Sequence, residues 1–301
     1  MPEIQANGLS LHYQSLGRAS DPAILLVMGL AMQMIVWPDP FCDLLVAGGF
    51  RVIRFDNRDV GLSTHLSHLR VPSILVAYLR FVLHLPVRAP YVIDDMARDT
   101  AALIDALQLR RPHVVGASMG GMIAQNLAAQ FPDRLSSLTS IMSTTGRRSL
   151  PKPSFKTQRA LLRPPAKPGD SEGAIERMMQ VLRVIGSRSN PLAPELAREL
   201  CERHVRRSSD PAGGARQLLA IAASGDRTDI VRRIRTPTLV IHGDEDPLVP
   251  PPCGVETTRV IRAGGGAATL RVIAGMGHDF PLPLLPAIAD AIVAHCRSAA
   301  D

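Results

Sequence analysis

The sequence has few cysteines, and their placement excludes two kinds of site. None of the four forms a Cys-x-x-Cys pair or another spacing typical of metal ligands. A disulfide framework and a zinc site are therefore not expected. None follows a predicted strand at the start of a helix, which argues against a catalytic cysteine and favours a packing or surface position. The four are Cys42, Cys201, Cys253 and Cys296.

Long apolar runs and a secretory signal are also missing. No stretch of about 18 or more apolar residues is uninterrupted, so no membrane-spanning helix is predicted. The first residues, Met1-Pro2-Glu3-Ile4-Gln5, lack a basic start followed by an apolar stretch, and a signal peptide needs both. We therefore expect a cytoplasmic protein without an integral membrane segment.

Lysine is scarce, although the chain is basic. The formal net charge is +7 with 34 Lys and Arg, of which three are lysine. Between residues 147 and 235 there are 19 Lys or Arg and nine Asp or Glu, so the excess is local. We interpret it as a solvated, Arg-rich helical surface, with the steering of anionic substrates or surfaces as the alternative. No nucleic-acid partner is expected.

The chain does contain enough apolar sequence for a substantial core. Its 46% apolar and 20% charged residues are typical of a globular protein. The 301 residues fit either one large α/β domain with an insertion or two ordinary domains. Composition does not choose between these two organisations.

The most informative stretch is a Gly-x-Ser-x-Gly motif, Gly116 to Gly120, which follows a β-branched run typical of a buried strand. An apolar, Ala-rich helix is predicted over 119–130, so Ser118 falls on a sharp strand-to-helix turn. That turn requires residues without a Cβ at Gly116 and Gly120, and Gly121 lets the helix pack closely. The pattern predicts a nucleophile elbow with the Ser118 hydroxyl above the sheet edge.

Loops after two later predicted strands supply the partners that a nucleophilic serine needs, a histidine base and an orienting acid. Asp244-Glu245-Asp246 follows Gly243, and His278 follows the last predicted strand. We choose Asp246, three residues beyond Gly243, because the loop can there swing back toward His278; Asp244 is the alternative. The orienting acid could in principle follow the strand that comes after the nucleophile helix. No Asp or Glu occurs between residues 136 and 169, so that position is excluded.

Other segments predict the rest of the core. Asn-Gly at 7–8 lies between two short alternating runs, which indicates a hairpin over 3–14. Apolar runs indicate buried strands at 23–27, 51–55, 135–142, 236–243 and 269–273. Helices are predicted over 41–47, 96–107 and 284–296. In the polar loop 56–63, Asp56 and Asp59 raise the question of a metal site. No further carboxylate or histidine at ligand spacing is evident, so we favour a turn held by Asp and Arg hydrogen bonds to backbone.

Two segments depart from the core pattern. The apolar stretch 71–85 is too short to span a bilayer; we expect a lip over the cleft, with contact to a membrane surface or a partner subunit as alternatives. After residue 146, prolines and arginines precede helical patterns at 173–185, 194–205 and 214–223. We expect core residues 1–146 with a lip at about 64–90, a helical cap at 147–225, and the rest of the core at 226–301.

Six motifs carry a family resemblance, and they are Met28-Gly29, Trp37-Pro38-Asp39-x-Phe41, Asp56-x-Arg58-Asp59-x-Gly61-x-Ser63, Gly116-x-Ser118-x-Gly120, His242-Gly243-x-x-Asp246 and Gly277-His278. With these motifs the chain resembles the capped esterase, lactonase and cofactor-free haloperoxidase group of the α/β-hydrolases. It is most similar to the aclacinomycin methylesterase type, in which Met-Gly replaces the commoner His-Gly. The resemblance implies an α/β-hydrolase fold, a mostly parallel eight-stranded sheet flanked by helices with a helical cap insertion.

The resemblance also implies a function. The backbone N–H groups of Leu30 and Met119 are expected to form the oxyanion hole. We predict a serine carboxylesterase that hydrolyses small-molecule hydrophobic esters through an acyl-enzyme, without metal or organic cofactor. Seven of the eleven methionines lie in or beside the motifs, which favours apolar substrate groups. The residues expected to line the pocket are Met28, Met32, Trp37, Met142, Leu248 and Phe280.

Several alternatives share this triad and fold. Lactonases, C–C bond hydrolases, acyltransferases and perhydrolases use the same residues, and the fold alone does not separate them. A non-catalytic ligand receptor with a hydrolase fold is the alternative outside the enzymes. The sequence makes no prediction of the oligomeric state.

Overall fold

A computed structural model describes residues 2–161, 166–167 and 169–299 of the chain. Residues 162–165 and 168, which belong to the predicted cap, lie outside the described residues. The described residues form one eight-stranded sheet with helices on both faces. This is the predicted fold class. The strands are β1 (Glu3–Ala6), β2 (Leu9–Leu16), β3 (Ala23–Val27), β4 (Arg51–Phe55), β5 (His113–Ala117), β6 (Ser137–Ile141), β7 (Thr238–Gly243) and β8 (Ala268–Ile273).

The sheet is antiparallel at one edge and parallel elsewhere. Its strand order is β1-β2-β4-β3-β5-β6-β7-β8, and β1 with β2 forms the predicted hairpin. β2 also pairs antiparallel with β4, and every later neighbour pair is parallel. The loops that follow β3, β5, β7 and β8 therefore leave the same edge of the sheet, which is where ligand sites form in open α/β sheets.

Eleven helices are present among the described residues. They are α1 (Asp39–Ala47), α2 (Ile74–Val82), α3 (Ile93–Ala106), α4 (Met119–Gln130), α5 (Phe155–Leu161), α6 (Ser171–Ile185), α7 (Pro194–Arg207), α8 (Pro211–Ser224), α9 (Thr228–Val231), α10 (Pro252–Ala263) and α11 (Leu285–Ser298). Four of them, α2, α5, α9 and α10, are not among the predicted helices; the segment that forms α2 is predicted only as an apolar lip. We call α5 to α8, which lie between β6 and β7, the inserted helices. No helix in the described part of the chain has the length and apolar content needed to cross a membrane.

The core lies on both faces of the sheet because side chains of a strand alternate between faces. Leu25 and Val27 of β3 pack in the cluster that contains α3 and α4. Ile24 and Leu26 pack in the opposite cluster with residues of α1 and α11. All four are fully buried, as expected for a strand that reads as a continuous apolar run. The four cysteines are free and buried, so of the two expected positions, packing and surface, they take the packed one.

Candidate active site

Ser118 lies on the turn between β5 and α4, with a φ of +55°. A positive φ is strained for a residue with a side chain and is held by close packing. A Cβ on Gly116 would lie 2.2 Å from the Gly120 carbonyl oxygen, and one on Gly120 would lie 2.0 Å from the Val27 oxygen. Both distances are far inside contact, so the predicted need for glycine at these positions is confirmed.

The structure brings Ser118, His278 and Asp246 together in one hydrogen-bonded chain. His278 Nε2 lies 2.9 Å from Ser118 Oγ, and His278 Nδ1 lies 2.8 Å from Asp246 Oδ2. A carboxylate only accepts, so Nδ1 carries the ring proton and donates it to Asp246. Nε2 is then unprotonated and accepts the Ser118 hydroxyl. The histidine is poised to take that proton.

Asp246 is fixed by its own loop. Its Oδ1 accepts hydrogen bonds from the N–H groups of Leu248 at 2.9 Å and Val249 at 2.8 Å. A second histidine, His242, also lies near this carboxylate. Its Nε2 is 2.7 Å from the Val249 oxygen and 3.6 Å from Asp246 Oδ2. Burial lowers the pKa of His242, so this ring is neutral and donates to Val249. Asp244, the alternative acid, is exposed and accepts from the Gly275 N–H instead.

The loop after β3 lies directly beside the serine. A Cβ on Gly29 would lie 3.1 Å from Ser118 Cβ. Asn57 Nδ2 donates to the Met28 oxygen at 2.9 Å, and Ala31 N–H donates to Gln217 Oε1 at 2.7 Å. Gln217 is a fully buried residue of α8. One end of this loop is therefore held by the core and the other by the inserted helices.

The histidine loop is held by the end of α6 and the residues that follow it. His278 N–H donates to the Ile185 oxygen at 2.9 Å. Ser187 Oγ accepts from Gly277 N–H at 2.7 Å and donates to Asp279 Oδ1 at 2.5 Å. Both neighbours of the histidine are thus bound to one buried hydroxyl. None of these partners is predicted from the sequence, and the polar residues that follow α6 are the local signal that could have pointed to them.

The acid loop is also bound to the inserted helices. Glu245 accepts hydrogen bonds from the N–H groups of Arg188 at 2.8 Å and Ser189 at 2.9 Å, and from the Ser189 hydroxyl. Glu245 immediately precedes Asp246. The short segment after α6 therefore contacts the loops that carry two of the three residues in the hydrogen-bonded chain.

The polar loop after β4 forms the turn predicted for it, with Asp56 accepting from Met34 N–H and Leu62 N–H. The expectation that no further ligand lies near Asp59 is wrong, because the fold brings His65 and Asp210 to it. The buried Arg216 guanidinium donates to both Asp59 oxygens, at 2.8 and 2.7 Å, and lies 3.3 Å from Asp210. The Arg216 guanidinium therefore supplies the positive charge that balances the carboxylates of Asp59 and Asp210.

The basic surface predicted from the sequence is partly internal. Arg216 and Arg227 are each 2% exposed. Arg227 donates to Gln125 Oε1 and to the Met122 and Thr144 oxygens, and burial lowers its pKa to about 10. A solvated role is wrong for these two residues, because carboxylates, carbonyls and an amide replace water around them.

The predicted pocket residues fall into two groups. Met28, Trp37 and Met142 are buried in the α1/α11 cluster, and Met32 and Phe280 pack against it. Trp37 has no exposed surface, and its ring packs against the Phe280 ring at a centroid distance of 4.9 Å. Leu248 instead lines a groove of about 330 Å³ whose walls include Tyr78 and Phe81 of α2.

The chain belongs to the α/β-hydrolase family, whose sequence profile, described as alpha/beta hydrolase fold, matches residues 22–282. The order of the strands and the serine on the turn after β5 agree with that membership.

Two curated relatives from Streptomyces match nearly the whole chain. Rhodomycin D methylesterase DnrP of Streptomyces peucetius is 32% identical and covers 97% of this chain and 96% of its own length. Rhodomycin D methylesterase DauP of Streptomyces sp. (strain C5) is 30% identical, with 98% of both chains covered. The resemblance to α/β-hydrolases of the methylesterase type is confirmed by these relatives.

A solved structure supports the fold independently. The enol-lactonase from Burkholderia xenovorans LB400 has a TM-score of 0.71 and covers 98% of this chain and 100% of its own. Its sequence is 22% identical, so the similarity shows a shared fold and gives no information about the substrate.

Proposed function

We propose that this protein is a serine carboxylesterase with Ser118 as nucleophile, His278 as general base and Asp246 as the orienting acid. One observation carries the proposal: a single imidazole lies within hydrogen-bond distance of both the serine hydroxyl and a buried carboxylate. The two methylesterase relatives support the ester as substrate class.

In the proposed reaction, His278 Nε2 takes the Ser118 proton while Oγ attacks the ester carbonyl carbon. The tetrahedral intermediate collapses as the imidazolium gives that proton to the departing alcohol, which leaves an acyl group on Ser118. Water then attacks the acyl carbon with His278 again as base, and the carboxylic acid leaves as Ser118 regains its proton. Asp246 stabilises the imidazolium formed in each half of the reaction.

We assign the oxyanion hole to the N–H groups of Leu30 and Met119. Met119 is the first residue of α4, and the N–H groups of a first helical turn have no partner within the helix. Leu30 follows Gly29, whose backbone packs against Ser118. Two donors beside the nucleophile are what the developing oxyanion requires.

For the substrate we propose hydrophobic esters. Met32 and Phe280 are half-buried beside the site, and Leu248 follows Asp246 by two residues. Flexible thioethers and aromatic rings suit apolar acyl or alcohol groups better than sugars or peptides. We propose that the inserted helices, within the expected cap of 147–225, close over this side of the sheet.

The test is a panel of p-nitrophenyl esters from acetate to laurate with four proteins: wild type, S118A, D246N and D244N. Loss of the nucleophile lowers kcat by about 10⁴-fold or more. Loss of the orienting carboxylate lowers it by about 10³ to 10⁴-fold. D244N is the matched control, because Asp244 is exposed and its carboxylate accepts a hydrogen bond from the Gly275 N–H.

The expected result is a burst followed by turnover in wild type, with D244N within about threefold of it. Equal losses in D246N and D244N would reject the acid assignment. A folded wild type without turnover on any ester would reject the esterase.

A further inference from the structure

Helix α2 presents an apolar stripe to solvent. Leu75, Leu79 and Leu83 lie four residues apart, on one helix face, and are 68%, 50% and 66% exposed. Ala77 is buried on the other side, where α2 contacts α8. The exposed apolar residues of this region are Val71, Leu75, Val76, Tyr78, Leu79, Phe81, Val82, Leu83 and Leu85. A contiguous apolar surface of this kind marks an interaction site more often than a solvated face.

A second segment continues the same surface. Tyr78 and Phe81 of α2 line the groove together with Lys152 and Gln158, so residues 147–161 lie across from the helix. Phe155 at the start of α5 is 80% exposed. We call the surface made by residues 70–88 and 147–161 the α2 face.

The charge of the α2 face has one sign. No Asp or Glu occurs from residue 60 to 93 or from 134 to 169. The second of these stretches holds all three lysines of the chain. Arg147 is paired with Glu256 from α10, whereas Lys152 and Lys156 are exposed. The described basic residues of the α2 face are Arg70, Arg80, Arg88, Arg147, Arg148, Lys152, Lys156 and Arg159.

We propose that the α2 face docks this protein on the surface of an anionic lipid bilayer. Leu75, Leu79 and Leu83 would enter the boundary between headgroups and acyl chains, and the surrounding Lys and Arg would contact lipid phosphates. Apolar side chains on a helix lying in the interface, ringed by basic residues, are the combination that such surfaces bind. This inference concerns where the protein lies and goes beyond its proposed activity.

The charge pattern favours a lipid surface over a second copy of the chain. In a two-fold dimer the same patch meets itself, so Lys152, Lys156 and Arg148 would face their own equivalents. No acidic residue within either segment would compensate that repulsion. An anionic bilayer instead supplies the opposite charge to every basic residue at once.

The test is co-sedimentation with vesicles of phosphatidylcholine alone or with about 30 mol % phosphatidylglycerol. Two double variants probe the two components: L75E/L79E for the apolar stripe and K152E/K156E for the charge. L196E on α7, where Leu196 is 44% exposed, and R271E on the exposed part of β8 are matched controls. These five proteins and S118A are measured as full-length chains, and thermal melts check that each is folded.

We expect wild type, L196E and R271E to bind the anionic vesicles and to be released by about 0.5 M NaCl. L75E/L79E should bind at least tenfold more weakly, since burying each leucine contributes about 1.5 to 3 kcal/mol. K152E/K156E should lose about fivefold per residue, since each basic side chain near the surface contributes about 1 kcal/mol. S118A should bind as wild type does, so the result is independent of turnover.

Absence of binding to anionic vesicles would overturn the proposal, as would equal binding of L75E/L79E and L196E. Equal binding to neutral and anionic vesicles would reject the charge component. A dimer in sedimentation velocity that L75E/L79E abolishes, without vesicle binding by wild type, would assign the α2 face to a second copy.

Discussion

Substitution of Ser187 by alanine tests whether the inserted helices position His278. The hydroxyl accepts from Gly277 N–H at 2.7 Å and donates to Asp279 Oδ1 at 2.5 Å, and the residue is 4% exposed. Removing it leaves a buried N–H and a carboxylate oxygen each without that partner. At about 1 to 3 kcal/mol for each orphaned group, reduced by local relaxation, the free energy of unfolding should fall by about 2 to 4 kcal/mol.

The effect on activity should appear mainly in kcat. Gly277 and Asp279 flank the histidine, so a looser loop displaces Nε2 from Ser118 Oγ without altering the substrate pocket. A displacement of about 1 Å can cost about a hundredfold, and we expect kcat to fall ten- to a hundredfold with KM within about threefold. The assays are urea unfolding and ester hydrolysis at substrate saturation.

The control is S189A in the same segment. Ser189 is exposed and its hydroxyl bonds the Glu245 carboxylate. Loss of an exposed bond of this kind should change stability by no more than about 0.5 kcal/mol. If S187A and S189A have the same unfolding free energy and the same kcat, the positioning role of Ser187 is refuted.

Three further predictions address stability. G120A should lower the free energy of unfolding, measured by denaturant titration, by about 3 kcal/mol or more. The added Cβ would lie 2.0 Å from the Val27 backbone oxygen, and the packed core cannot move away without losing contacts. R216M should cost about 3 to 5 kcal/mol because it leaves Asp59 buried and without its cation. R198M, at an exposed ion pair, should leave the free energy of unfolding nearly unchanged; equal losses in the two variants would contradict the argument. Burial lowers the pKa of His113 to about 4, so the unfolded chain binds this proton first, at about pH 6.5. Stability should therefore fall from about pH 6.5 down to about pH 4, and a urea midpoint that falls as steeply in H113N would disprove the assignment.

Local patterns in the sequence are enough to predict the strands and the three residues Ser118, His278 and Asp246. Alternation, apolar runs and glycine placement predict all eight strands and the elbow at Ser118. The proximity of Asp246 to His278 follows because both lie in loops after neighbouring parallel strands. Helix α10 was missed although it begins at Pro252, and proline is favoured in the first turn of a helix.

What the sequence does not reveal is how the inserted helices meet the core. Gln217 bonds Ala31 across 186 positions of the chain, and Arg216 bonds Asp59 across 157. No period or motif encodes such pairs, because they depend on how the inserted helices pack as a unit. The same reason explains the wrong expectation of a solvated Arg216. The sequence pattern of a helix does not distinguish an arginine that contacts water from one that contacts a carboxylate.

The bonds from Ser187, Gln217 and Arg216 to the core have a consequence for engineering. A chimera that exchanges residues between β6 and β7 for those of another hydrolase would alter more than substrate choice. It would also remove the acceptor for the Ala31 N–H, the hydroxyl beside the histidine and the cation beside Asp59. The smallest transplantable unit therefore includes these three positions with the core loops they contact, and grafts that respect only strand boundaries should yield folded sheets with displaced catalytic groups.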